Sequence, residues 1–166
     1  MDVSQGLSRF HRAQDQSVSG FADALYELQA GAKRSHWIWY VFPQLFGLGT
    51  SDMARTFGLR GVTEAQAYLR DPVLRSRLLA VTLAVDAHLR PPAAKALSSL
   101  MGSDMDALKL VSSLTLFEAV ARAHSAAKQS DETRALADAA TRVLDAAAAQ
   151  GYPRCRHTFA MTNTNY

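Results

Sequence analysis

Asp71-Pro72 opens a segment whose apolar residues return every three or four positions, at Leu74, Leu78, Val81, Val85 and Leu89, until Pro91-Pro92 stops it. An acid at the capping position followed by proline at the first helical position is a helix start, and the spacing predicts one long helix with an apolar stripe. Such a stripe must be covered, and nothing in the chain offers a sheet to cover it. No segment alternates with period two, so no strand is expected.

The rest of the chain supplies more helices. Phe21, Leu25 and Leu28 share a helical face, with Gly31 as a stop residue. Ser51 is a candidate N-cap for a short helix ending at Gly58, and Thr63 with Gln66 has the spacing of a capping box for another, through Leu69. Ser103-x-x-Asp106 caps a segment that turns Leu110, Leu114 and Phe117 inward; a break follows His124 and Ser125. Ser130 or Asp131 then starts an alanine-rich helix to about Ala149, with Gly151 as its stop. The expectation is an all-α, single-domain bundle of about six to eight helices without a sheet. Residues 1–6 are read as a flexible N-terminus, 7–150 as the domain and 151–166 as a C-terminal tail.

Composition narrows the function classes. With 166 residues the chain can bury a core. The net charge of +3 comes from scattered arginines that form no run. It permits an anionic ligand and makes nucleic acid an unfavoured partner. Cys155 is the sole cysteine, the N-terminal residues are polar, and the longest apolar run, near Leu78 to Val85, is too short to span a bilayer. These features place the chain in the cytoplasm and away from membranes. Phosphate-binding glycine loops, CxxC and HExxH are missing, and the five histidines show no ligand spacing. No metal and no cofactor is expected. Oligomeric state is open.

Two stretches carry candidate chemistry. The first is Lys33-Arg34-Ser35-His36-Trp37-Ile38-Trp39-Tyr40-Val41-Phe42-Pro43-Gln44, which holds both tryptophans. If Ser35 caps a helix running to Phe42, then His36, Trp39 and Tyr40 share one face, and Lys33 and Arg34 lie beside free amides as an anion seat. Pro43 ends that helix and aims Gln44. Such a block serves as a site wall or as plain core, since a buried indole also needs a polar partner. The second stretch is a polar stripe of Asp106, Lys109, Ser112 and Ser113, with Thr115 off the stripe by about a third of a turn. A lysine flanked by two serines can hold phosphate or carboxylate; taken alone, the stripe reads as an exposed face with an Asp106–Lys109 pair.

Gly31-x-Lys33-Arg34-Ser35-His36-Trp37-x-Trp39-x-x-Phe42-Pro43-Gln44 resembles the hallmark of the DUF1810 family. The likeness continues in Leu48-Gly49-x-Ser51, in Pro72-Val73-Leu74-x-x-Arg77-Leu78 and in Asp106-x-x-Lys109-x-x-Ser112-Ser113-x-Thr115-Leu116-Phe117. It spans about residues 7 to 118. The resemblance implies a mostly helical domain of uncharacterised function, some of whose members carry the label calpastatin; nothing here resembles that inhibitor's disordered repeats. It also implies that both stretches belong to one family pattern.

The functional expectation joins them: Lys33, Arg34, Ser35, His36, Gln44, Lys109, Ser112, Ser113 and Thr115 meet over Trp37, Trp39 and Tyr40 to hold a small, partly planar anion such as a nucleotide-like metabolite. His36 is the candidate acid or base, and Lys109 the candidate stabiliser of negative charge. The alternative is a protein-interaction module with a Trp-rich, basic-rimmed surface.

Overall fold

The computed structural model describes residues 3–123 and 129–163. Among them are ten helices: α1 (Val3–Gln14), α2 (Phe21–Ala30), α3 (Ile38–Val41), α4 (Asp52–Phe57), α5 (Val62–Arg70), α6 (Pro72–Leu89), α7 (Leu97–Met101), α8 (Asp104–Ala123), α9 (Asp131–Ala149) and α10 (Arg156–Asn163). No strand occurs among the described residues; a lone parallel bridge joins Leu45 to Leu59. The break expected after His124 and Ser125 lies outside the described residues.

The capping residues act as expected at four helices. Asp71 accepts from the Val73 and Leu74 amides at the start of α6, which buries Leu74, Leu78, Val81, Val85 and Leu89. Ser51, Ser103 and Ser130 accept from the amides of Ala54, Asp106 and Thr133. Gly31 ends α2 with φ +85°, a left-handed turn that glycine adopts without a Cβ penalty.

α5 departs from expectation. It starts at Val62 behind Gly61, and no side chain caps it. Thr63 is exposed. Glu64 instead turns back to accept from the Arg60 amide and from Arg9 of α1. An ion pair to a distant helix has replaced a local capping box.

The count exceeds eight because short helices fill the corners. α3 has four residues and α7 five, lengths that carry too little periodicity to be read from sequence. α9 packs on both α6 and α8 to form the central layer, with α2 on α6 and with α3, α5, α7 and α10 against α8. α8 is therefore enclosed: every residue from Leu110 to Phe117 is buried. Ser112, Ser113 and Thr115 are thus core residues, and the exposed polar face expected there does not exist beyond Lys109.

The covering element is the segment after Gly151. Arg154 donates two hydrogen bonds to Glu118 of α8 and one to Asp145 of α9. Thr141 also donates to Glu118. These contacts staple the segment down, and α10 then lies along α8. Within the tail expected over 151–166, Arg156–Asn163 form a helix packed against α8.

Candidate functional site

Glu27 of α2 organises the aromatic stretch. Its carboxylate accepts from the amides of Arg34 (2.8 Å) and Ser35 (3.0 Å), from the Ser35 hydroxyl, and from the Trp37 indole (2.8 Å). Burial alone would raise the Glu27 pKa, but these donors outweigh it and hold the group down at about 2. They also keep residues 33–36 out of a helix. The Ser35 hydroxyl is turned toward Glu27 and caps no amide, and Trp37 takes the position before α3. The helix expected from Ser35 to Phe42 is only Ile38–Val41, and the anion seat expected at its first turn is not formed.

The same loop is tied to the far end of the chain. The Lys33 amide donates to Leu100 O at the end of α7 (2.8 Å), and Gly102 packs so close that a Cβ there would sit 3.3 Å from Lys33 O. Lys33 Nζ then reaches Asp106 at 2.8 Å and Ser35 O at 2.7 Å, above the Trp37 ring. Asp106 also contacts Lys109 at 3.3 Å, and Lys109 Nζ stands 4.8 Å from the centroid of Trp39. The two distant stretches do meet: a Lys33–Asp106–Lys109 chain of charge lies across both indoles.

The burial of each member decides what it can do. Trp37 is fully buried and Lys33 keeps 7% of its side chain exposed, so both are spent on structure. Tyr40 is buried, its hydroxyl within reach of Ser19 O and His36 O, and burial raises its pKa. Gln14 holds the Tyr40 carbonyl from below. The outer layer consists of Trp39, part-buried; Lys109, 22% exposed; and Arg34 and His36, both exposed. The Trp39 indole nitrogen is buried with no hydrogen-bond partner.

The remaining expected residues sit elsewhere. Gln44 is buried in the Leu45–Leu59 bridge, its carbonyl taking the Leu59 amide. Ser112 bonds Thr158 of α10, and Thr115 bonds Val111 O and the Cys155 amide. Ser113 is buried with its hydroxyl unpartnered. Sequence reasoning missed Glu27, whose only signal was an acid one turn after Asp23 on the polar side of α2.

Cys155 lies just before α10. Burial pushes its thiol up, but hydrogen bonds from the side chain and amide of Thr158, from Ser112 and from the His157 amide bring it below the usual 9.0. Alkylation by iodoacetamide followed against pH should show a midpoint below 9.0. Thr158→Val should move that midpoint upward; an unchanged midpoint would remove Thr158 as the cause.

Among the described residues no group of His, Cys, Asp and Glu could hold a metal ion, and no helix is long and apolar enough to cross a membrane. Residues 4–141 match the family described as "Protein of unknown function (DUF1810)". The chain belongs to that family. It is also similar to the conserved hypothetical protein Rv1873 from Mycobacterium tuberculosis, known from a crystal structure, with 36% identity and a TM-score of 0.68 over 93% of this chain and 94% of that one. No curated protein matches the chain.

Proposed function

We propose that the chain binds a small anionic, partly planar ligand at the outer layer of this cluster, with Lys109, Arg34 and His36 around Trp39, and that it does so in the cytoplasm. The observation that carries the reading is the Lys109 ammonium over the Trp39 ring. Its one carboxylate contact among the described residues, Asp106 at 3.3 Å, is long, which leaves N–H donors for an incoming phosphate or carboxylate. Lys33, Trp37, Tyr40 and Glu27 support the site from beneath and do not touch the ligand. Among the described residues no side chain hydrogen-bonds the His36 ring, so nothing orients it for proton transfer, and the proposal is limited to binding. The burial of Trp37 weighs against the alternative of a Trp-rich docking surface.

The test is a thermal-shift screen of nucleotides, sugar phosphates and acidic metabolites, run on the wild type and on Lys109→Ala. A ligand at one hundred to one thousand times its dissociation constant should add about 2–4 kcal/mol of stability to the wild type. The same concentration should give Lys109→Ala a clearly smaller gain. A hit indifferent to Lys109 would move the binding site elsewhere, and hits without an anionic group would overturn the electrostatic reading.

A further inference from the structure

α10 is amphipathic in the wrong sense for a helix on a water-facing surface. Its inward face carries Thr158 and Thr162, both buried, while Phe159 and Met161 on the outside are 54% and 44% exposed. Beside it runs a cleft of about 460 Å³ between α10 and the Leu45–Leu59 bridge. Leu45, Leu59, Phe46 and Met161 give it apolar walls, and Phe46 is itself 52% exposed. Arg60, Gly61 and His157 complete the lining, and among the described residues no carboxylate contributes to it. Arg156, exposed and adjacent in the chain to His157, adds a third basic group at the start of α10.

An apolar trough whose polar lining is wholly basic matches a peptide that pairs large apolar anchors with acidic neighbours. Anchors leave water for the trough, and the acids meet Arg60 in its wall. We propose that α10 and the Leu45–Leu59 bridge form a docking groove for a short acidic segment of a protein partner, anchored by an aliphatic or aromatic side chain. The groove shares no lining residue with the Trp39–Lys109 site, so the two proposals stand or fall separately.

The test is selection from a random-peptide display library on the immobilised full chain, followed by fluorescence anisotropy with one synthesised, labelled winner. Enriched peptides should combine Leu, Ile or Phe with Asp or Glu. Phe46→Asp should weaken the winner at least about tenfold, as expected for an anchor wall, and Arg60→Glu should weaken it about fivefold or more. Lys109→Ala should leave it unchanged, and circular dichroism should show that all three variants remain folded. Enrichment of basic or uncharged peptides, binding indifferent to both groove variants, or no enrichment at all would overturn the proposal. So would a homodimer in sedimentation that Phe46→Asp dissociates, because the groove would then belong to a second copy of the chain.

Discussion

Glu27→Ala is expected to lower the unfolding free energy at neutral pH by about 3 kcal/mol, read from urea denaturation with an unchanged slope. The Glu27 carboxylate serves four donors at once. Three of them can turn to water, because Arg34 and Ser35 are not fully enclosed. The Trp37 indole cannot, since the residue is 0% exposed. An indole N–H left without a partner in the core costs about 1–3 kcal/mol by itself, and freeing the loop adds to that. The pH dependence gives a second readout. The Glu27 pKa is depressed in the folded protein to about 2 from an ordinary 4.5. The stabilisation is therefore complete above pH 4.5 and is lost as pH falls toward about 2. Glu64, Asp71, Asp86 and Glu118 are also held below their usual values, so the whole protein weakens in acid. The gap between wild type and Glu27→Ala isolates the Glu27 share and should narrow only below about pH 4.5. A gap of constant size down to pH 2 would mean the carboxylate is not ionised against those donors.

Glu27 also marks where sequence reasoning stops. The helical class was legible because α6, α8 and α9 are long and because Asp71, Ser51, Ser103 and Ser130 act locally. Each cap contacts an amide two or three residues ahead, and that distance is written in the sequence. The meeting of Lys33 with Asp106 was legible only as an expectation that two polar stretches converge. The conformation of residues 33–37 was not legible, because a serine before an aromatic run has two uses. Its side chain can turn toward the amides ahead as a cap or toward a carboxylate on another helix, and tertiary packing decides which. Ser112, Ser113 and Thr115 were open to misreading for the same reason. A polar stripe reads as a solvent face unless something covers it, and the cover here is α10. That helix hides from pattern analysis because its buried residues are Thr158 and Thr162 while its large apolar residues point outward. Its inverted pattern is also what gives the docking groove its walls.

Asp106→Ala is expected to cost about 3 kcal/mol, near the low end for breaking a buried pair because Asp106 keeps 16% of its side chain exposed. The loss falls on Lys33, whose ammonium has 7% exposure and would keep only the Ser35 carbonyl and the Trp37 ring as partners. Lys109 would lose its carboxylate as well, leaving two ammonium groups over neighbouring indoles with no negative charge between them. Replacing the inner pair together, as Lys33→Met with Asp106→Leu, removes the orphaned charge along with its partner. That double variant should lie within about 1 kcal/mol of wild type and be more stable than Asp106→Ala, because an apolar pair of similar volume incurs no desolvation cost. Urea unfolding of Lys33→Met, of Asp106→Leu and of the double variant closes a mutant cycle and gives the coupling directly. The cluster's proposed binding role adds an opposite sign elsewhere: Asp106→Asn strips the charge that partly neutralises Lys109, so an anionic hit from the ligand screen should bind Asp106→Asn more tightly while the fold itself becomes weaker. Stability and anion affinity moving together would separate Asp106 from Lys109 and break the link between the buried ion pair and the surface that we assign to the ligand.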